Sequence, residues 1–122
     1  MLLYLAIFFS SCKQDEYKFA FFDYKIKDTD YTVKIEDPAR LEILQNGISS
    51  LKQQSMIIPF EYQLTIGLKN GDTLKYWGNS SVMMDSSSRR YYIPDGKAKK
   101  DFVELLKSTA RGMKVVDVED PQ

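Results

Sequence analysis

An α+β domain with a mainly antiparallel sheet of four to six strands, two helices packed on one face and the element order ββαββββα is what the sequence predicts. Three observations carry this expectation. Side chains alternate with a period of two over 20–35 and again over 60–78, apolar residues recur at helical spacing in two separate stretches, and after residue 60 no long helix separates successive strands. The chain has 122 residues, which is enough for one hydrophobic core without disulfides or metal.

In the first alternating stretch Ala20, Phe22, Tyr24 and Ile26 share one face, and Phe21, Asp23, Lys25 and Lys27 share the other. Asp28-Thr29-Asp30 reads as the turn, after which Tyr31, Val33 and Ile35 resume the apolar face. Asp37-Pro38 then changes the period. Asp37 is a good N-cap, and Pro38 at the first helical position loses nothing, because its missing donor would have no partner there. Leu41, Leu44, Ile48 and Leu51 make one stripe on a helix predicted over 38–52, with Gly47 weakening it by up to about 1 kcal/mol relative to Ala. The apolar run Met56-Ile57-Ile58-Pro59 is expected to begin the next strand; left exposed, it would suggest contact with a partner.

Over 60–78, Phe60, Tyr62, Leu64, Ile66 and Leu68 take one face, with Asn70-Gly71 at the tip. A two-residue turn would place Leu74 opposite to Ile66's face. A three-residue loop, Lys69-Asn70-Gly71, instead pairs Ile66 with Leu74 and Leu64 with Tyr76, keeping all four on the buried side. The expectation is therefore a type I turn with a left-handed Gly71 in a G1 bulge. Val82 and Met84, a turn over Asp85, Ser86, Ser87 and Ser88, and the segment 90–93 suggest a further hairpin ended by Pro94. Asp95 or Gly96 opens a second helix with Ala98, Phe102, Leu105, Leu106 and Thr109 on one stripe and Gly112 at the C-cap position. A short edge strand is expected over 113–118, before an acidic tail at 119–122.

The amino-terminal residues carry a different kind of signal. Leu2 to Phe9 form an apolar run interrupted only by Tyr4, far short of the ~20 residues that a transmembrane helix needs. It has the character of a signal-peptide core. The order Phe9-Ser10-Ser11-Cys12 follows, and then the polar Lys13-Gln14-Asp15-Glu16. This pattern resembles the lipobox of bacterial lipoproteins, departing from it at Phe9, where Leu is usual, and in having no Lys or Arg before the apolar run.

The resemblance implies that 1–11 is removed, that Cys12 is acylated, and that 12–18 tethers a single domain at 19–118 to the membrane. An acyl chain contributes about 0.8 kcal/mol per buried CH₂, so Cys12 would be an anchor rather than a catalyst. Lys13 rather than Asp after the cysteine further implies outer-membrane placement, facing the periplasm or the cell surface.

Chemistry is narrowly bounded by composition. The chain has no histidine and one cysteine, so a Ser-His-Asp triad, a Cys-His pair, a His-ligated zinc and an internal disulfide are all impossible. With 17 basic and 17 acidic residues the formal net charge is zero, which argues against nucleic acid as a partner. Asp23, Asp28, Asp30, Glu36, Asp37, Glu61, Asp72 and Asp85 fall mostly at turns, caps or outward strand positions, and their spacing nominates no glycosidase pair. Asp28-Thr29-Asp30 lacks the later glycine and glutamate of an EF-hand loop. Ser86 to Ser88 have no base in a recognisable motif, and Gly67, Gly71 and Gly78 do not open a helix as a phosphate-binding loop would. No enzyme activity, cofactor or metal is expected.

One aromatic residue stands out. The register that buries Leu74 and Tyr76 turns Trp77 to the opposite face, beside Lys75 and across from Gln63 and Glu61. Arg89, Arg90, Tyr91 and Tyr92 follow on a segment able to lie nearby. Trp, Tyr and Arg are enriched at binding hot spots, so Trp77, Lys75, Arg89, Arg90, Tyr91 and Tyr92 form the candidate binding surface. The expected function is that of a lipid-anchored, non-enzymatic protein-binding module, with an immunity or inhibitor protein as one form by analogy. The alternative is a small-ligand carrier whose apolar pocket is lined by Tyr24, Tyr62, Tyr76 and Phe102.

Overall fold

The computed structural model describes residues 16–57 and 59–110. In chain order these form β1 (Tyr17–Ile26), β2 (Thr29–Ile35), α1 (Pro38–Ser49), β3 (Lys52–Gln53), β4 (Tyr62–Leu68), β5 (Thr73–Asn79), β6 (Val82–Asp85), β7 (Arg90–Tyr92) and α2 (Lys97–Thr109). The strands make one antiparallel sheet in the order β2-β1-β4-β5-β6-β7-β3. The α+β class and the antiparallel sheet with two helices are as expected; the seventh strand is β3, a polar pair too short to show any periodicity. The leader, Cys12, Gly112, the strand expected at 113–118 and the acidic tail lie outside the described residues.

Alternation places Ala20, Phe22 and Tyr24 opposite Ile35, Val33 and Tyr31, as the sequence pattern requires. The turn between them is Lys27-Asp28 rather than Asp28-Thr29-Asp30, because Ile26 already pairs with Thr29. Both turn residues have positive φ, 48° and 68°, the signature of a type I′ turn whose twist suits a hairpin. At the other end of β1 a register shift between Tyr17 and Phe19 reverses the alternation. That bulge lets Tyr17 join the buried residues while Phe19 points to the opposite face.

The β4–β5 hairpin has the anticipated register: Ile66 faces Leu74 and Leu64 faces Tyr76. Gly71 N–H donates to the Leu68 carbonyl at 3.0 Å, Leu68 N–H donates to the Asp72 carbonyl at 2.8 Å, and Gly71 has φ 98°. Those bonds define the type I turn with a G1 bulge. The β6–β7 hairpin repeats the device with Ser88, φ 66°, in the left-handed position.

Helix α1 starts where Asp37 accepts a hydrogen bond from the Arg40 amide at 3.3 Å, and it ends at Ser49, one turn earlier than the stripe suggests. Leu41, Leu44 and Ile48 of α1 and Phe102, Leu105 and Leu106 of α2 are buried against Phe22, Ile35, Leu64 and Ile66 of the sheet. The core lies between the helices and this inner face. Among the described residues no helix lies against the other face of the sheet, and there the candidate surface is found.

Candidate interaction surface

Register decides which candidate residues can act together. Trp77 pairs with Gln63 on one side and Met84 on the other, and Met84 in turn pairs with Arg90. These residues, with Lys75 two positions from Trp77 and Tyr92 two from Arg90, share the helix-free face. Trp77 is half-buried and Lys75 exposed.

Tyr91 and Arg89 do not belong to this group. Tyr91 pairs with Met83, which is buried in the core, so its side chain takes the inner face. Its hydroxyl donates to Asp85 Oδ2 at 3.1 Å, and Arg89 Nε lies 3.3 Å from the same oxygen. Asp85 Oδ1 also accepts the amides of Ser87 and Arg89 at 2.9 and 3.0 Å. Desolvation alone would raise the Asp85 carboxyl, but these donors and the Arg89 charge outweigh it and hold it below its ordinary value. The Tyr91 hydroxyl is pushed up by desolvation and by the Asp85 carboxylate it bonds. Here, then, is a structural tie across the β6–β7 turn, and two of the six expected surface residues are engaged in it.

The sequence reading also misplaced Phe60. Its alternation with Tyr62 continues past the point where the strand starts, since β4 begins at Tyr62 and the last bond toward β5 is from Glu61 N–H to the Gly78 carbonyl at 2.8 Å. Beyond it the chain is a loop, not a strand. Phe60 is 46% exposed and Ile57 is 77% exposed, so the segment expected to begin β4 presents apolar side chains to solvent. A surface groove of about 470 Å³ runs between Phe60 and Trp77, with Asp23, Thr32, Glu61 and Gln63 also lining it. Thr32 Oγ1 donates to Asp23 Oδ1 at 2.6 Å, fixing one polar wall. Tyr24, Tyr31 and Tyr62 also line the groove, and aromatic residues interleaved with charged and polar side chains are the composition of an interface patch.

At the opposite end of the same face Phe19 lies over Gly67, where a Cβ would come within 2.3 Å of the ring. Lys34 Nζ stands 5.5 and 5.6 Å from the centroids of Phe19 and Phe21. Phe19 and Phe21 are partly buried at this end, whereas at the groove end Phe60 and Tyr31 are the exposed aromatic side chains and Trp77 is partly buried between strands.

Of the four residues expected to line a carrier pocket, Tyr24 and Tyr62 also line the surface groove beside Trp77, and Tyr76 is partly buried at the margin of the core. Phe102 and Tyr62 are buried, Tyr62 stacks on Phe22 at 4.8 Å and donates to the Ser80 carbonyl at 2.9 Å, and Tyr24 stacks on Tyr31 at 5.4 Å. Burial pushes the Tyr62 hydroxyl far above its ordinary value, as expected of a structural phenol. Among the described residues no group of His, Cys, Asp and Glu side chains could hold a metal ion, and no helix is long and apolar enough to cross a membrane. Comparison with protein-family models, curated proteins and solved structures gives no significant match, so the surface is read from its own geometry.

Proposed function

We propose that the chain is a bacterial envelope lipoprotein, anchored through Cys12, that binds a protein partner non-enzymatically through the helix-free face around Trp77. The observation that carries this reading is that the partly buried Trp77 and the 46% exposed Phe60 line one open groove. Contiguous exposed aromatic surface marks interaction sites, and Trp is among the residue types whose truncation costs most at interfaces. Met84, Arg90 and Tyr92 extend the same face, and the exposed Ile57 lies on the loop beside it. The lipobox-like Phe9-Ser10-Ser11-Cys12 supports the anchor.

Two measurements test the two halves separately. A photoreactive phenylalanine analogue at position 77, in cells producing the full chain, should form a discrete adduct with a partner that the same probe at Lys27 does not form. Trp77→Ala should weaken binding of that partner about thirtyfold, corresponding to a hot spot of roughly 2 kcal/mol. Indistinguishable adducts at positions 77 and 27 would refute the surface. For the anchor, Cys12→Ala should move the protein from the membrane pellet to the soluble fraction, and mass spectrometry should find an acylated cysteine at the mature amino terminus. An intact, unmodified leader would refute it.

A further inference from the structure

Among the described residues the two edges of the sheet are unequal. One, β3, has two residues and so offers little for another strand to pair with. The other, β2, runs for seven residues with an unbroken register to β1 and no proline or bulge. Residues 29–32 and Lys34 are exposed.

Which of its backbone groups have no partner strand among the described residues follows from the turn. In a two-residue type I′ hairpin the pair flanking the turn, Ile26 and Thr29, is hydrogen-bonded, and bonded pairs recur at every second residue. Thr29, Tyr31, Val33 and Ile35 thus direct N–H and C=O toward β1. Asp30, Thr32 and Lys34 direct theirs outward.

We propose that β2 pairs with β2 of a second copy, antiparallel about a two-fold axis at Thr32, to give a continuous sheet through a homodimer. The register that uses all three outward residues sets Thr32 against its own copy and Asp30 against Lys34 on both sides of the axis. Three facts agree in it. Every outward residue meets another outward residue, so the new ladder has hydrogen-bonded pairs wherever it needs them. Each acidic side chain meets a basic one, twice by symmetry, so the strand is electrostatically complementary to itself. On the inner face Tyr31, 43% exposed, meets Val33, an aromatic against a β-branched side chain at a close non-bonded pair.

The present partners of these charges are exposed ion pairs and, for Lys34, the Phe19 and Phe21 rings. Lys25 Nζ is 3.7 Å from Asp30 and Lys34 Nζ is 3.5 Å from Glu36, in pairs whose side chains are 60% and 84%, and 47% and 67%, exposed. Exposed pairs of this kind contribute little and exchange readily. Beyond the strand ends the same register brings Glu36 to Asp28 of the other copy, an acidic pair in the exposed turn, with Lys27 next to it. Edge strands are normally defended by charge, but a defence whose signs are mirrored about the strand centre becomes an attraction between identical copies.

Sedimentation equilibrium of the detergent-solubilised full chain tests this directly. The wild type should associate to a dimer. Asp30→Lys and Lys34→Asp, each turning both attractive pairs into repulsive ones, should each weaken the dimer about tenfold or more at low salt. Mixing the two variants should restore dimers, because the Asp30→Lys chain carries only lysine at these positions and the Lys34→Asp chain only aspartate. That recovery cannot come from misfolded partners. Thr32→Pro, which removes an outward donor and spares the bonds to β1, should leave a folded monomer. A wild type that remains monomeric, a dimer indifferent to either reversal, or a mixture that stays monomeric would overturn the proposal.

Discussion

Asp85 illustrates how much one carboxylate can hold when its partners are local. It accepts two backbone amides and a phenol and faces a guanidinium, all from the six residues that follow it. Because its folded value is depressed, the stabilisation is whole above the ordinary carboxyl value of 3.8 and is lost as pH falls through the lower folded value. Asp85→Asn should therefore reduce stability at pH 7, by about 1–2 kcal/mol for charge-assisted bonds, and should flatten the acid limb of the stability profile. Urea midpoints measured at pH 7 and pH 3 check it: the gap between variant and wild type should narrow at the lower pH, and a gap that widens would show that the carboxylate is not the stabilising group. This role was not legible beforehand. In the sequence Asp85 is one of several turn carboxylates, and only the pairing of β6 with β7 brings Tyr91 over it. The same pairing explains why Tyr91 and Arg89 drop out of the candidate surface while Trp77, Lys75, Arg90 and Tyr92 stay on it.

Elements were legible where two independent constraints met. Over 60–78 the apolar alternation and the Asn70-Gly71 tip admit only one register that buries Leu74 with Ile66, and that register is found. The first hairpin offered alternation but no glycine, so Lys27 and Asp28 gave no signal that they would take positive φ. Lys52 and Gln53 are strand only because Tyr92 and Tyr91 lie alongside them. The G1 bulge gives a clean prediction. Gly71 has φ 98° and a Cβ there would meet nothing within 4 Å, so any cost of Gly71→Ala is purely backbone strain. It should amount to about 1 kcal/mol, and Gly71→Asn should recover part of it, since Asn tolerates the left-handed region. Thermal unfolding of the three proteins decides the point; equal losses for Ala and Asn would mean that the strain argument is wrong.

At the scale of the whole molecule the helical layer is joined from distant parts of the chain by one contact, the crossing of α1 and α2. Gly47 sits at that crossing, where a Cβ would be 3.0 Å from Phe102 Cδ1 and 3.3 Å from Ile93 Cδ1. Read from the sequence alone, Gly47 is a weak point, and Gly47→Ala should gain up to about 1 kcal/mol of helix propensity. The packing reverses the sign. Phe102 and Ile93 are both 0% exposed, so neither can swing away into solvent, and overpacking a filled core costs about 1–3 kcal/mol. Gly47→Ala should therefore lower the denaturant midpoint with an unchanged m-value, although the substitution favours the isolated helix. Phe102→Leu, which trims the ring from the crossing, should leave a small void on its own and make room for the added methyl in the double variant. The double-mutant cycle should then show a coupling of about 1 kcal/mol in favour of the pair. Strictly additive effects would mean that the helices do not approach through Gly47 and that its cost is one of propensity alone.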